Sequence, residues 1–483
     1  MGRRRFLFPV ISAAAVILIM SGCQKKNPYG LSEKAPVTIT IWHYYSGVQE
    51  EEFERLIRSF NETDGREKGI VVEASNKGSI GELNQKVYES IEKKIGSEPL
   101  PDVFAAYADQ VYEIDREGLA VDLSKYMEKE ELSQYVEAYI EEGRFDGSEG
   151  VKVFPIAKST EVLSVNETDW LKFAEATGCS DSVFSTWEGI TKTAKEYYEW
   201  TDSLTDAPDD GKAFYGRDAF ANYMIVGSAQ LGHEIFRWEN GAVVLDFDKT
   251  AMRKLWDNYY VPYVNGYFSS YGKFRSDDVK TGRLVAFAGS TSGISYFPNT
   301  VTLEDGTSYE IKSRVYPLPN FADTPPYAVQ QGAGMMILKS EEKREYASVE
   351  FLKWFTEDEH NIEFSIASGY LPVKKTAGSR DKIETVLAKA DKEPAVIENL
   401  LIGLDTANKY QLYTSKPFSG GDKARAVLNN TMADCAAEAA AAVEELRNEG
   451  IPREDAVAQF VTDEAFETWY QDTKLQLEAI IGE

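Results

Sequence analysis

The sequence predicts an α/β protein in two lobes, and three observations lead there. Segments of alternating apolar and polar residues are followed repeatedly by segments with an apolar stripe at helical spacing, the pattern of strands and helices taking turns over a mostly parallel sheet. The chain has 483 residues, or 461 once a cleavable leader over residues 1–22 is set aside; that exceeds one ordinary hydrophobic core and calls for two. An apolar content of 43% is ample to fill both.

The elements follow in order. Val37, Ile39 and Ile41 alternate with Thr38 and Thr40 and run into Trp42, which predicts a first strand. Ser46 with Gln49 three residues on has the capping-box pattern. Phe53, Leu56, Ile57 and Phe60 then stripe a helix, with Glu50, Glu51 and Glu52 at its positive end. A second strand is expected over residues 70–73. A second helix is expected through Leu83, Val87, Ile91 and Ile95, closed by Gly96. Residues 101–107 read as a third strand, and residues 151–156 as another after a glycine-containing turn at 146–150. From Trp170 to Tyr260 the pattern is mainly helical, with a polar loop at 202–211. Short apolar strands are expected at 284–288 and 335–338, with a turn at Asp305 and Gly306 between them. Ala347, Phe351, Leu352 and Phe355 stripe a helix. The last third is helical, including the alanine-rich residues 436–446, and its amphipathic tail is expected to pack rather than extend.

The first residues set the compartment. Arg3, Arg4 and Arg5 precede an apolar run from Phe6 to Met20, too short for a membrane span and laid out as a secretory signal. Met20, Ser21, Gly22 and Cys23 resemble a lipobox, with Met20 where leucine is usual. That resemblance implies cleavage before Cys23, lipidation of its thiol, and a tether over 23–36 holding the protein outside the cytoplasm at the cell membrane. The alternative is an ordinary signal peptide cut elsewhere. The formal charge of −27 becomes −30 without the three leader arginines; such a surface repels nucleic acid and anionic headgroups. Cys179 and Cys435 remain in the body of the chain, read as two small core residues, with a bridge as the alternative. His43, His233 and His360 show no ligand spacing, so neither a metal nor another cofactor is expected.

Several segments together resemble the family 1 solute-binding proteins of bacterial ABC importers. Ile39, Thr40, Ile41, Trp42 and His43, with the acidic helix ending at Phe60 and Asn61, are similar to that family's first strand and helix. Pro101, Asp102 and Val103, then Tyr107 and Asp109, resemble its third strand. Lys158 to Leu163 with Asn166 resemble its first crossover, Gly282 with Ala286, Ser292 and Gly293 its second, and Gln331 to Gly334 its third. Phe351 to Trp354 and Gly369 to Val373 complete the set. The resemblance implies a two-lobe periplasmic-binding-protein-like fold with a hinged central cleft and three inter-lobe crossings. It places the hinge near 155–158, 286–289 and 332–335, with 37–157 and 288–333 in the first lobe and 158–287 and 334–483 in a helix-rich second lobe. Within the family the glycerol-3-phosphate-binding branch is the most similar in site pattern. Its contact residues fall on Ser159, on Ser292 (beside Ser290 and Thr291), on Gly332, on Tyr370 and on Arg425. Ile80 and Ala108 depart from it on the polyol side.

The residues themselves bear on this site. Trp42, His43 and Tyr44 end the first strand, and carboxyl ends of strands in open α/β sheets face the crevice where ligands bind; a strand-end aromatic cluster is also common in cores. Asp109 suits acceptance of two hydroxyl bonds or the N-cap of the helix that follows. Gly369 and Pro372 frame a turn that could aim Tyr370, or simply bury it. Gly420, Gly421 and Asp422 before Arg425 suit either an anion or polyhydroxy site at a helix start or a plain cap with a surface arginine. The function expected is capture of a small carbohydrate and delivery to ABC permease subunits in the membrane, without catalysis. A receptor for glycerol 3-phosphate or another polyol phosphate, an extracellular glycan hydrolase with paired carboxylates, and a tethered sensor are the alternatives.

Overall fold

Strands and helices take turns along the chain, and among the described residues the strands assemble into two main sheets and three two-stranded ones. The computed structural model describes residues 29–482 apart from 146–149, 240, 389–392 and 415. Cys23, the leader and most of the turn expected at 146–150 lie outside the described residues. In chain order the strands that matter are β1 (Val37–His43), β2 (Ile70–Asn76), β3 (Val103–Ala106), β4 (Val153–Phe154), β5 (Glu161–Asn166), β6 (Tyr215–Arg217), β7 (Ala286–Ser290), β8 (Ser313–Pro317) and β9 (Gly334–Ile337).

The first sheet runs β2-β1-β3-β9-β4 and the second β8-β5-β7-β6. β1 is parallel to β2 and β3, whereas β9 returns antiparallel between β3 and β4. In the second sheet β5 is antiparallel to β7 and β8, and β6 is parallel to β7. Each sheet has its own core. Phe53, Phe60, Phe104, Phe351 and Phe355 pack around the first, and Trp170, Trp187, Trp256, Tyr260 and Trp469 around the second. The helix Gly421–Asn448 lies across the second lobe, and the terminal helix Asp463–Gly482 buries Phe466, Trp469, Tyr470 and Leu477 against it, packed as its amphipathic pattern predicts. Cys179 and Cys435 are free and half-buried against that core.

The partition differs from the one expected at 288–333 and 334–483. β7 and β8 belong to the second sheet, where Ala288 faces Leu163 and Val315 faces Ser164. Residues 334–337 belong to the first, where Met336 faces Phe104. Residues 286–289 therefore lie within a central strand rather than at a crossing. The physical reason is that short apolar strands buried on both faces read alike whichever sheet they join. The chain passes between lobes at 155–160 and 330–334, and a third time beyond Lys374, after Leu371 has paired with Lys158. Past that point the helix Pro394–Lys409 packs on the second lobe, where Glu398 accepts from the Val315 amide and Asn399 donates to the Thr291 carbonyl.

Two local expectations also change. The helix after β1 spans Val48–Glu62 with Gly47 as its cap at φ 55°, so Ser46 and Gln49 form no capping box. The second helix, Ile80–Ile91, is capped by Ser79 with Glu82 and stops before Ile95, which is fully exposed.

Candidate functional site in the interlobe cleft

Side chains alternate along β1, and the alternation sorts its aromatic end. His43 turns to the helix side, 5.7 Å from the Tyr45 ring and 5.1 Å from Phe53. It is 1% exposed, and burial depresses its imidazole to about 4, so it is a neutral core residue. Trp42 is buried beneath the Lys77 ammonium, 4.5 Å from its ring centroid. Tyr44 instead meets Tyr370, hydroxyl to hydroxyl at 3.2 Å.

Around that pair the lobes close together. Gly369 ends a helix at φ 74°, and a Cβ there would lie 2.7 Å from the Thr291 carbonyl oxygen, so only glycine lets the two backbones approach. The Ser292 side chain stands close to the Tyr370 hydroxyl, and its own hydroxyl is 2.9 Å from that of Ser290. Gln49, freed from capping, donates to the carbonyls of Ser292 at 3.4 Å and Ser368 at 3.3 Å, one on each side of the cleft. Tyr107, just past β3, stands beside Tyr44, Tyr370 and Arg425. Burial pushes the hydroxyl pKa values of all three tyrosines up, so they are neutral donors and acceptors.

The opposite wall is polar. Arg425, in the first turns of the helix Gly421–Asn448, donates from Nη2 to Asn222 Oδ1 at 2.7 Å. Asn222 Nδ2 donates to Glu161 Oε1 at 2.9 Å, and Arg217 holds the other Glu161 oxygen at 2.9 Å. Asp109 sits in a short turn, Ala108–Gln110, and does not cap the next helix, whose cap is Val111. A Cβ on Gly421 would lie 3.7 Å from Asp109, so the start of the long helix touches the first lobe. Burial raises the Asp109 carboxyl, and the Arg425 guanidinium works against that rise; Glu142 and Asp422 add to it.

Ser159 and Gly332 fall in the hinge. Ser159 is buried and exchanges two backbone hydrogen bonds with Gln331, at 2.8 and 2.9 Å. Gly332 has φ +91°, and a Cβ there would lie 2.8 Å from the Ala157 carbonyl oxygen. The structure thus brings Tyr44, Asp109, Ser292, Tyr370 and Arg425 toward one region and leaves Trp42 and His43 in the core. Two cavities with walls from both lobes open near it. One of about 520 Å³ is bounded by Glu142, Glu234, Gln330 and Tyr413, and one of about 330 Å³ by Tyr88, Asp109, Phe418 and Asp422. Among the described residues no cluster of three or more His, Cys, Asp or Glu side chains is placed to hold a metal, and no helix is long and apolar enough to cross a membrane.

A model of the bacterial extracellular solute-binding protein family matches residues 55–393. The chain belongs to that family. Among curated proteins nothing matches. Solved structures share its fold. The cyclic α-maltosyl-1,6-maltose binding protein from Arthrobacter globiformis superposes with a TM-score of 0.66 at 17% identity, covering 92% of this chain and 99% of that one. UgpB from Mycobacterium tuberculosis, in complex with glycerophosphocholine, gives 0.64 at 19% identity over 92% and 99%. The maltotriose binding protein of Thermus thermophilus, bound with maltotriose, gives 0.59 at 15% identity over 92% and 100%.

In this solute-binding protein the sequence reading passed over the site roles of Gln49, Tyr107, Glu142, Glu161 and Asn222. Tyr107 follows a strand end just as Tyr44 does, so the rule that drew attention to Tyr44 reaches it too. Asn222 lies in a helix whose every residue is buried, Phe220–Gln230; a polar residue within that apolar run was the available signal. Glu161 and Gln49 have none, because what they contact is remote in sequence.

Proposed function

We propose that this protein captures a small neutral carbohydrate between its lobes and delivers it to an ABC permease in the membrane. The observation that supports this best is the chemistry of the cleft. Three neutral tyrosine hydroxyls, Tyr44, Tyr107 and Tyr370, stand with Ser292 near a single arginine, Arg425, whose field is opposed by Asp109, Asp422 and Glu142. Tyrosine rings stack on sugar C–H faces while their hydroxyls, the carboxylates and Arg425 exchange hydrogen bonds with sugar hydroxyls. Asp109 and Asp422 against one guanidinium disfavour a phosphate dianion, Glu142 being matched by the Lys158 ammonium. The maltotriose and maltosyl-maltose binders of similar fold are consistent with the carbohydrate reading. The glycerophosphocholine-bound relative keeps a phosphodiester as the second reading, favoured by Arg425 itself. No turnover is part of the proposal. Lipidation of Cys23 would hold the receptor at the membrane, and Cys23→Ala should release it from the membrane fraction.

The test is titration with maltotriose, a cyclic maltosyl-maltose, glycerophosphocholine and glycerol 3-phosphate at low and high salt. A sugar should bind with little salt dependence, whereas a phosphate bound through Arg425 should weaken as salt screens the pair. Arg425→Ala should cost about 1.5–3 kcal/mol, or about ten- to a hundredfold in affinity. Unchanged affinity in Arg425→Ala would remove Arg425 from the site, and a steep fall of binding with salt would favour the phosphodiester.

A further inference from the structure

Behind Arg425 lies a buried polar chain that enters the site from the second sheet. Glu161 opens β5 and Arg217 closes β6; their side chains are 2% and 1% exposed and pair at 2.9 Å. The Arg217 guanidinium lies 5.8 Å from the Trp187 ring centroid and 5.2 Å from that of Tyr223, so aromatic faces hold it in place. Asn222, 1% exposed, stands between this pair and Arg425. It is in the first turn of the helix Phe220–Gln230, which begins from Ala219 at φ 45°. A left-handed alanine is retained only where its surroundings over-determine it.

The amide can face only one way. An ionised carboxylate only accepts, so the Asn222 Nδ2 must point to Glu161, and this aims Oδ1 at Arg425. Glu161 is already matched by Arg217. The amide between them orients Arg425 without placing a second carboxylate on it, so Arg425 is held in direction while its charge remains for the cleft, where Tyr107 and Asp109 feel it.

We propose that Asn222, itself held by the Glu161–Arg217 pair, is a positioning residue that sets the direction in which Arg425 presents its guanidinium to the solute. The proposal rests on the reading that Arg425 contacts the solute. Asn222 acts through Arg425, so its effect depends on that side chain being present. The test is a double-mutant cycle of Asn222→Ala and Arg425→Ala, read by titration with maltotriose and with glycerophosphocholine. Asn222→Ala should weaken binding about tenfold in the wild-type background and less than about twofold in the Arg425→Ala background. If Arg425→Ala alone changes nothing, the reading of the cleft fails, and the proposal with it. If Arg425→Ala weakens binding but Asn222→Ala does not, or the two losses add in full, that reading stands and the positioning role is overturned. Glu161→Gln, which keeps shape, replaces Asn222→Ala in the cycle should the alanine variant not fold, with the same criteria. A crystal structure of the variant gives an answer without any solute: the Arg425 guanidinium should leave its wild-type position, and an unmoved guanidinium overturns the proposal.

Discussion

Lys158 donates from Nζ to the carbonyl oxygen of Gly332 across 2.7 Å, pinning the first crossing between the lobes to the second. The same ammonium meets the Glu142 carboxylate, which also accepts from Gln330, and the Lys158 backbone pairs with Leu371. With a side chain 2% exposed, Lys158 ties the first two crossings together and holds the segment that leads to the third. It is retained in an apolar place because its partners are satisfied there.

Lys158→Met should therefore be among the most damaging single changes in the chain. It leaves the Glu142 carboxylate buried without its countercharge, at a cost of about 3–5 kcal/mol. Adding Glu142→Leu should recover much of that loss, because removing both charges is far cheaper than removing one. Urea midpoints of the single and double variants check this; a double variant no more stable than Lys158→Met would count against it.

Gly332→Ala tests the close approach at the same hinge. At φ +91°, with the Ala157 carbonyl oxygen 2.8 Å from the new Cβ and the Lys158 Cα at 3.0 Å, the strain falls on backbone that cannot move aside cheaply. A loss of about 1–3 kcal/mol is expected. Thermal denaturation decides it, and a variant as stable as wild type would show that the crossing relaxes freely.

His43 predicts a pH dependence of stability. Its pKa falls from 6.5 to about 4 on folding because burial disfavours the imidazolium. The unfolded chain therefore binds the proton more readily, and stability falls as pH drops from 6.5 towards 4. The full effect is about 3 kcal/mol. His43→Gln should flatten that part of the stability curve measured by urea unfolding between pH 7 and pH 4. An unchanged slope would place the acid sensitivity elsewhere.

Tyr44 and Tyr370 should separate stability from recognition. Tyr370→Phe leaves the Tyr44 hydroxyl without its partner and should destabilise by about 1–3 kcal/mol, whereas changing both to phenylalanine should cost less. The double variant should still fold yet bind maltotriose at least about tenfold more weakly, as two hydroxyls are lost from the sugar side. Full affinity in the folded double variant would move the sugar away from these rings.

The local half of the structure was legible in the chain. Thr38 and Thr40 alternating with Val37, Ile39 and Ile41 mark β1, and Phe53, Leu56, Ile57 and Phe60 mark the helix that covers it, since the burial of one face imposes its period on the sequence. The candidate site was legible in part. Tyr44, Tyr370 and Arg425 stand where strand ends, a glycine turn and a helix start suggested, while His43 and Trp42 occupy the same strand end but belong to the core. One residue of register separates the core-facing His43 from the cleft-facing Tyr44, while the Lys77 ammonium covers Trp42, and composition at a strand end reveals neither.

By itself the sequence determined the alternation of strands and helices, the need for two cores, and the helical character of the last third, because each follows from local periodicity and the amount of apolar surface to bury. Only the tertiary structure decided which sheet receives 286–290 and which receives 334–337, where the lobes are joined, and that Glu161, Asn222 and Arg425 form one chain of contacts. Those outcomes rest on pairings between residues far apart in the chain, Ala288 with Leu163 or Lys158 with Gly332. Such pairings leave no period in the sequence, because each is selected by the closeness of two buried surfaces and the satisfaction of polar groups enclosed between them.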